Sequence, residues 1–521
     1  MGEGSDKPKV AITPHSTKVT SGTEVQEKLI VAARVFSDLL KPTYGPRGLD
    51  KMLYKTDGTT AVTNDGAKIV AELLVRHPAA KMMVSMAESQ EEKCGDGVTT
   101  TMLLCGSLLI EANNLFRKGL HPLTLVDGYE ISLQTARLQI ESDLSQTDEQ
   151  RLLQVAETSL RGKVADSALG TFPHLIVKAL STVFENRGEA SAQHVSMFKT
   201  GTGGIRDSRL VNGIILRRRV LMENLPNDIR DAKVVCLDGE LKIREMSRDA
   251  EMKITSADDL DSFIGAEGDR KKEIFRSILD SGAKVVLCSG EIDKDILHML
   301  SESSILAVED LDSSELRNAS DATKSRIVEN PLDIEECDLG LCGSASWERK
   351  PASNEVEDVI RIEECPNPSV VTIEIGGAGE TGTEEVIRGI HDSLRATSLA
   401  LNEDVLPGAG AIHSRVAQAV RLASEKQGGR ERLAMEAFAR AMEAIPATLV
   451  ENAGGESLDR ILELRSESLE EPPVGISEDG KKMIVEGVWH PRSVIENSLE
   501  SATETAIGML RIDQVISARG E

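Results

Sequence analysis

The stretch KCGDGVTTTM, residues 93–102, combines the residue types that hold a polyphosphate and a cation. Asp96 lies between two glycines, and three threonines follow after Val98. Glycines let backbone N–H groups approach phosphate oxygens, a carboxylate binds a hard cation, and hydroxyl groups donate to phosphate. The same residue types also form ordinary surface turns. The stretch therefore indicates either a phosphate–metal site or a plain turn.

A second glycine-rich stretch, GAGETG at 377–382, matches the GxGxxG pattern of dinucleotide-binding loops and follows a predicted strand. That fingerprint needs a further strand that ends in an acid about twenty residues on. A predicted helix and then LPGAGA follow instead. This disfavours a Rossmann oxidoreductase that binds NAD, and the sequence contains no GxxxxGK[ST] P-loop.

The elements around the first stretch help to interpret it. Apolar spacing predicts helices over 79–91 and 98–116, so CGDG precedes a helix N-terminus, where free N–H groups and the helix dipole favour anions. This favours the phosphate site over the turn. After about residue 220, strand-like runs (AKVVCLD, AKVVLC, ILAV, VVTIEI) alternate with helices, and the chain is predicted to be helical again from about residue 396. The pattern indicates an α/β segment inserted into a helical domain.

Composition excludes several partner classes. The chain has 521 residues, enough for two to four domains, and 86 acids against 60 bases give a formal charge of −26. Nucleic acids and anionic membranes would repel such a chain, and no run of about 18 apolar residues predicts a membrane span. Seven scattered cysteines and an N-terminus without an apolar signal core predict a reduced, cytoplasmic protein.

Eight segments, taken together in this order, resemble the group II chaperonins, which are the archaeal thermosome and the eukaryotic cytosolic chaperonin. They are TYGPRGLDKML, VTNDGAKIV, HPAAKMMV, CGDGVTTTMLL, ETSLRGK, IHDSLRA, LPGAGA and ESATETAIGMLRIDQVI. The resemblance extends from about Gly22 to Ile516.

The resemblance implies a chaperonin fold with three domains. A mainly helical, ATP-binding equatorial domain would comprise 1–149 and 404–521, and a small α/β intermediate domain 150–220 and 369–403. An α/β apical domain at 221–368 would bind substrate. It would carry a helical lid protrusion at about 246–277, and the helix predicted in DKDILHMLSES would face clients.

The resemblance also implies a site for ATP and Mg²⁺. Asp96 would bind the Mg²⁺, Asp65 would lie near the γ-phosphate, and Asp392 would activate the attacking water. Lys163 would sense the γ-phosphate. The remaining nucleotide-binding positions would be Tyr44, Gly45, Pro46, Gly97, Val98, Thr99, Thr100, Gly408, Ala409, Gly410 and His490.

Three of these positions depart from the family pattern. Val98 replaces a threonine, Ala409 replaces the middle glycine of a triple glycine, and His490 replaces an acid that accepts from the ribose. Two functions therefore stay open. The first is an ATPase chaperone subunit of a double ring that encloses non-native proteins, with identical or paralogous subunits as its ring partners. The second is a divergent subunit with weak or no ATPase activity that serves in assembly or interaction.

Overall fold

The structure, a computed structural model, describes residues 18–21, 23–54, 58, 60–73, 75, 77–163, 166–242, 257–351, 356–377 and 380–517. The chain divides into two compact units. The first unit is formed by Met1–Ala165 and Arg395–Glu521, and the second by Asp166–Leu394. The three domain boundaries predicted from the sequence stay predictions.

Helices make up most of the described residues. They are α1 (Thr23–Leu40), α2 (Gly66–Ala71), α3 (Pro78–Cys94), α4 (Val98–Phe116), α5 (Pro122–Ser142), α6 (Glu149–Leu160), α7 (Asp166–Leu169), α8 (Phe172–Arg187), α9 (Ala257–Ser281), α10 (Lys294–Glu302), α11 (Ser313–Thr323), α12 (Glu380–Asn402), α13 (Ala411–Lys426), α14 (Glu431–Met442), α15 (Ala444–Asn452), α16 (Ser457–Glu467) and α17 (Arg492–Leu510).

Most of the strands are short, and β7, β11 and β12 are the longer ones. They are β1 (Lys18–Ser21), β2 (Lys51–Tyr54), β3 (Thr60–Thr63), β4 (Val195–Lys199), β5 (Arg209–Val211), β6 (Ile214–Arg217), β7 (Asp228–Leu237), β8 (Val285–Cys288), β9 (Leu306–Val308), β10 (Ile327–Val328), β11 (Gly340–Pro351), β12 (Val356–Glu363), β13 (Val371–Ile375), β14 (Val405–Pro407), β15 (Val474–Ile476), β16 (Lys482–Ile484), β17 (Trp489–Pro491) and β18 (Gln514–Ser517).

The first unit is built around helix α4. Its residues are apolar on nearly every side, as in Met102 and Leu104 on opposite faces, because the helix packs against α1, α14 and α17. Tyr129 on α5 is fully buried beside it, donates a 2.7 Å hydrogen bond to the Leu108 carbonyl and meets the Phe438 ring edge-on. This packing fixes α4, whose N-terminus follows the CGDG stretch.

The second unit contains a seven-stranded sheet with the order β6-β12-β11-β7-β8-β9, and β10 pairs with β7. Strands β7, β8 and β9 are parallel, and the residues of β8, β9 and the paired part of β7 (234–237) are buried, as expected where helices cover a sheet. A separate three-stranded sheet has the order β4-β13-β5.

Several local predictions are confirmed. The helices predicted over 79–91 and 98–116 are α3 and α4, and the strand-like runs after residue 220 form β7, β8, β9 and β13. The helix predicted in DKDILHMLSES is α10, and Ile296, Leu297 and Leu300 are buried in it. Their packing in the core fits a structural role for those three side chains. The contact of α10 with clients stays a prediction.

Other expectations need correction or lie outside the described residues. The first 150 residues also contain the β2–β3 hairpin, and the C-terminal part contains β14 to β18. Within the predicted protrusion, residues 246–256 are not described, and helix α9 begins at Ala257. The described residues contain no helix that is long and apolar enough to span a bilayer.

Candidate functional site

The loop between α3 and α4 has the geometry of an anion site. Gly95 (φ 67°) and Gly97 (φ 85°) both adopt left-handed conformations that favour glycine. The Gly95 N–H donates to the Glu91 carbonyl at 2.9 Å and ends α3. Gly97 is the N-cap of α4 and brings no capping side chain. The first N–H groups of α4 therefore have no side-chain cap, and together with the helix dipole they favour an anion there.

Asp96 lies between these glycines with its carboxylate held in place. Its Oδ1 atom accepts from the Gly97 N–H at 2.8 Å and lies 3.4 Å from the Lys163 ammonium. Burial raises the pKa of Asp96, but Lys163, His490 and the Gly97 N–H outweigh that effect and hold the pKa below its usual range. The carboxylate is therefore ionised at neutral pH and suited to a cation.

The loop that contains Tyr44 lies beside the start of α4. The Thr100 hydroxyl donates to the Tyr44 hydroxyl at 3.4 Å. The Asn452 amide donates to the Tyr44 carbonyl at 2.8 Å and to the Lys41 carbonyl at 2.9 Å. Burial raises the pKa of Tyr44 to about 12, so its phenol stays protonated. Tyr44 thus presents a hydroxyl next to the threonines of α4.

The loop before Lys163 packs against two other loops. A Cβ at Gly162 (φ 83°) would lie 3.1 Å from the Gly45 carbonyl oxygen and 3.2 Å from Pro46 Cα, so only a glycine fits without displacing that loop. The Asn64 amide donates to the Gly162 carbonyl. These contacts bring Lys163 to the same place as Gly45 and Pro46.

Asp65 follows Asn64 and caps helix α2. Its Oδ1 atom accepts from the Ala67 N–H at 3.0 Å. A Cβ at Gly66 would lie 2.3 Å from the Thr99 hydroxyl oxygen, so the Thr99 side chain packs directly against the Gly66 backbone. The structure thus brings together four loops, hereafter the phosphate-side cluster. The cluster consists of Tyr44–Pro46, Asn64–Gly66, Gly95–Thr100 and Gly162–Lys163.

His490 is joined to the LPGAGA stretch by strand pairing. Strands β14 and β17 are antiparallel and pair Leu406 with His490, and the Gly408 N–H donates to the Val488 carbonyl at 2.8 Å. A Cβ at Gly408 would lie 3.1 Å from His490 Cδ2. Burial lowers the pKa of His490, Asp96 partly raises it, and Lys163 lowers it further. The imidazole is neutral at pH 7.

Ala409 takes a conformation that favours glycine. Its φ is 53°, and its carbonyl accepts from the Ile476 N–H at 2.9 Å. Gly410 (φ 75°) is the N-cap of α13, and His413 lies in the first turn of that helix. Neither ring nitrogen of His413 has a hydrogen-bond partner among the described residues. Burial and the neighbouring His490 lower the pKa of His413 to about 3.

Asp392 lies on α12 in the second unit, while the phosphate-side cluster lies in the first. Its side chain is buried, and that of its neighbour His391 is exposed. The two adjacent side chains thus face different ways on the helix. The participation of Asp392 in the same site stays a prediction.

The sequence interpretation missed residues that support the Asp96 loop. Gln90 is fully buried and donates to the Asp96 carbonyl at 2.8 Å and to the Val494 carbonyl at 3.3 Å. It accepts from the Asn497 amide at 2.6 Å. Arg395 contacts the end of α3. An uncharged amide at a buried helix position, six residues before Asp96, was the available signal for Gln90.

The residues fit a magnesium ion that phosphate groups share. Among the described residues, no group of three or more histidine, cysteine or acidic side chains could hold a metal by itself. Mg²⁺ commonly binds through one or two carboxylates, with substrate phosphates and water as its other ligands. The ionised Asp96 beside uncapped N–H groups is suited to that arrangement.

Comparison with known proteins identifies the family. The TCP-1/cpn60 chaperonin family model matches residues 36–520. The chain belongs to that family. It is 35% identical to thermosome subunit alpha of Halobacterium salinarum, over 98% of this chain and 92% of the relative. Thermosome subunit beta of Archaeoglobus fulgidus is 35% identical, over 98% of this chain and 95% of the relative. A thermosome subunit of Methanopyrus kandleri is 36% identical, over 99% of this chain and 96% of the relative.

The predicted resemblance to group II chaperonins is therefore confirmed. The chaperonin fold class is confirmed at the level of the family, in a mainly helical chain with several sheets. The roles assigned to individual residues of this chaperonin, and its ligands, stay predictions.

Proposed function

We propose that this chain is an ATP-hydrolysing subunit of a group II chaperonin ring. The observation that carries the proposal is the phosphate-side cluster, in which four loops surround a half-buried, ionised Asp96 at the uncapped N-terminus of α4. Thermosome subunits as relatives along nearly the whole chain support the same function.

In this proposal, Asp96 binds Mg²⁺, which neutralises phosphate charge when it is bound. Lys163 lies 3.4 Å from Asp96, close enough to respond to charge at the γ-phosphate. The N–H groups and hydroxyls of Thr99 and Thr100 donate to phosphate oxygens. The other phosphate-side positions are Tyr44, Gly45, Pro46, Gly97 and Val98, and the nucleoside-side positions are Gly408, Ala409, Gly410 and His490.

We assign the hydrolytic step to two acids. Asp392 would orient the attacking water and accept its proton, and Asp65 would lie near the γ-phosphate. The two acids are more than 300 positions apart in the sequence. A carboxylate that closure carries to the phosphates would make hydrolysis wait for the closed state of the subunit.

The surface of the first unit supports assembly with other subunits. The β2–β3 hairpin exposes large apolar side chains, with 74% of Met52 and 79% of Tyr54 accessible, and Leu49 just before it is 69% accessible. Apolar groups at the edge of a two-stranded sheet are suited to contact with another chain. We propose identical or paralogous subunits in stacked rings as the partners there. We further propose that a lid formed with the predicted protrusion encloses non-native proteins in the cytoplasm.

Magnesium-dependent ATP hydrolysis by the purified assembly tests the ATPase function. Asp392→Ala should abolish turnover and leave ATP binding within about threefold of the parent. Glu384→Ala, an exposed acid on the same helix, is the matched control and should hydrolyse ATP at the parent rate. Equilibrium dialysis should show binding of ATP and not of NAD. A parent assembly without turnover, or one that prefers NAD, would overturn the proposal.

Two observations favour the alternative of a subunit with weak ATPase activity. Ala409 holds a left-handed conformation without being glycine, and His490 is a neutral imidazole at pH 7. If these two residues limit nucleotide use, His490→Asp combined with Ala409→Gly should raise ATP affinity and turnover together. Unchanged values in that double variant would exclude this explanation of a weak ATPase.

A further inference from the structure

Trp489 on strand β17 contacts helix α6 near both of its ends. The guanidinium of Arg151, in the first turn of the helix, lies over the Trp489 ring, with 4.9 Å between Cζ and the ring centroid. The backbone N–H of Trp489 donates to the Thr158 hydroxyl, in the last turn, at 3.4 Å. Seven residues of a helix rise by about 10 Å. One residue therefore holds α6 at two separate points.

These contacts lie on one face of α6. Arg151, Gln154 and Thr158 are three and four residues apart, a spacing that places side chains on the same side of a helix. A Cβ at Gly487 would lie 3.8 Å from Gln154 Nε2, so the chain just before Trp489 also runs beside that face. Trp489 is buried, and its indole N–H has no hydrogen-bond partner among the described residues. Packing and the cation–π contact therefore hold the ring against the helix.

Helix α6 leads directly into the loop that carries Lys163. The helix ends at Leu160, and only Arg161 and Gly162 separate that end from the lysine. The Lys163 ammonium lies 3.4 Å from Asp96 Oδ1 in the phosphate-side cluster. A shift or rotation of α6 would therefore displace the ammonium.

The residue that follows Trp489 on β17 approaches the same pair of charges. Asp96 raises the pKa of His490 and Lys163 lowers it, so both charged groups lie near this imidazole. Successive residues of a strand point to opposite faces. Strand β17 thus contacts α6 with one side chain and approaches the charged pair with the next.

We propose that Trp489 is a positioning residue for Lys163 that acts through helix α6. It holds the helix so that the ammonium stays beside Asp96, where a γ-phosphate would bind. The inference rests on the proposed ATPase function. It adds a residue to which neither the sequence motifs nor the family comparison assigned a role.

The loop after α6 has contacts that do not depend on Trp489. The Asn64 amide donates to the Gly162 carbonyl, and the Arg161 guanidinium pairs with the Glu478 carboxylate. Loss of the tryptophan ring should therefore shift the lysine and leave the rest of the cluster in place. Binding of Mg·ATP should weaken, while binding of Mg·ADP, which has no γ-phosphate, should not change. A merely structural role would weaken the binding of both nucleotides alike.

The test compares the nucleotide preference of Trp489→Leu with that of the parent in the full assembly. Calorimetric titration measures the dissociation constants of Mg·ADP and of the magnesium complex of the β,γ-imido analogue of ATP. Lys163→Met should lower the preference for the triphosphate by about tenfold, the effect of one lost charge-assisted hydrogen bond. Trp489→Leu displaces the lysine without removing it, so the preference should fall by about three- to tenfold, with Mg·ADP affinity within about twofold of the parent.

The other tryptophan of the chain provides the matched control. The ring of Trp347 also lies under an arginine, with 5.6 Å between Arg349 Cζ and its centroid, but it belongs to β11 in the second unit. Trp347→Leu should keep the parent preference. Trp489→Phe, which keeps an aromatic face under Arg151, should recover most of the preference that Trp489→Leu loses.

A second comparison shows whether Trp489 acts through Lys163. In the Lys163→Met background, adding Trp489→Leu should change the preference by less than about twofold, because the group that it positions is already gone. A further loss of about fivefold or more in that background would overturn the inference. So would a parent-like preference in Trp489→Leu, or an equal loss of affinity for both nucleotides.

The outcomes distinguish the two proposals. If the parent hydrolyses ATP but Trp489→Leu or Lys163→Met keeps the parent preference, the inference falls and the proposed function stands. If the parent does not hydrolyse ATP, both fall. If Trp489→Leu does not assemble, Thr158→Val removes the hydroxyl that accepts from the Trp489 N–H and keeps the side-chain shape. It should lower the preference by about two- to threefold with unchanged Mg·ADP affinity, and a parent-like preference would refute the inference.

Discussion

Replacement of Gln90 by leucine should weaken both the fold around Asp96 and the binding of Mg·ATP. The side chain is fully buried and makes three hydrogen bonds, to the Asp96 carbonyl, the Val494 carbonyl and the Asn497 amide. Leucine is similar in size but can make none of them. At about 1 kcal/mol net for each of the three lost hydrogen bonds, we expect the free energy of unfolding to fall by about 3 kcal/mol.

Part of that loss should appear in the binding of Mg·ATP, because in the proposed function the loop must be ordered to hold the cation and the phosphates. If about 1.4 kcal/mol of the loss falls on the loop, the affinity for Mg·ATP drops about tenfold. Guanidinium unfolding and calorimetric titration with Mg·ATP measure the two effects. Gln139→Leu is the control, because among the described residues that amide donates only to Ser142 and Asp143, near the end of its own helix.

The control should unfold with a free energy within about 0.5 kcal/mol of the parent and bind Mg·ATP with an affinity within about twofold of the parent. The reasoning is refuted if Gln90→Leu unfolds within 0.5 kcal/mol of the parent. If stability falls by the expected amount but Mg·ATP affinity stays within twofold, the link between this amide and the loop's binding function is refuted.

Three further predictions concern stability, measured by unfolding. Ala409→Gly should stabilise the chain by about 0.5–1 kcal/mol, because relief of a left-handed alanine exceeds the entropy that glycine adds to the unfolded chain; a loss would contradict this. Glu443→Gln should lower the free energy of unfolding by about 2–3 kcal/mol, since it leaves Arg421 and Arg465 without their shared, mostly buried carboxylate. A decrease below about 0.5 kcal/mol would show that solvent screens these ion pairs. His413 has a pKa of about 3 in the folded chain, below its value of about 6.5 in the unfolded chain. The unfolded chain therefore takes up a proton first as the pH falls below about 6.5, and the free energy of unfolding decreases. From pH 7.5 to pH 5.0, the free energy of unfolding should therefore fall by about 2 kcal/mol less in His413→Leu than in the parent. Equal decreases in the two proteins would contradict the effect of burial.

Sequence patterns predicted the parts of the fold that depend on local spacing. The apolar residues of α3 and α4 recur at helical intervals, so those helices and the loop between them were predictable from nearby residues. Strands β14 and β17 are three residues each and pair Leu406 with His490 across more than 80 positions. No local pattern distinguishes such short strands from loops, so their pairing could not be predicted.

The residues of the candidate site also fall into those that the sequence predicts and those that it does not. Asp96 and its glycines stand out because their types have known chemistry at a helix start. Gln90 and Arg395 do not stand out, because an amide or an arginine on a helix normally faces solvent. Their importance comes from the backbone carbonyls that they contact, at Asp96 and at Glu92. Every residue has a backbone carbonyl, so the sequence does not show which one a side chain contacts.

The three departures from the family pattern do not weigh equally on ATP use. The Val98 side chain is 4% exposed and packs in the core, so a hydroxyl there would face apolar neighbours and the backbone N–H is retained. The Ala409 methyl points toward Gly475, where an added Cβ would lie 3.0 Å from it, so its cost is backbone strain. Among the proposed nucleotide-binding positions, only His490 changes the chemistry of the side chain, since a neutral imidazole stands where the family pattern has a charged acceptor. Weaker nucleoside binding follows from that change, while the acids proposed for hydrolysis are all retained, and this favours an active ATPase with reduced affinity over an inactive subunit.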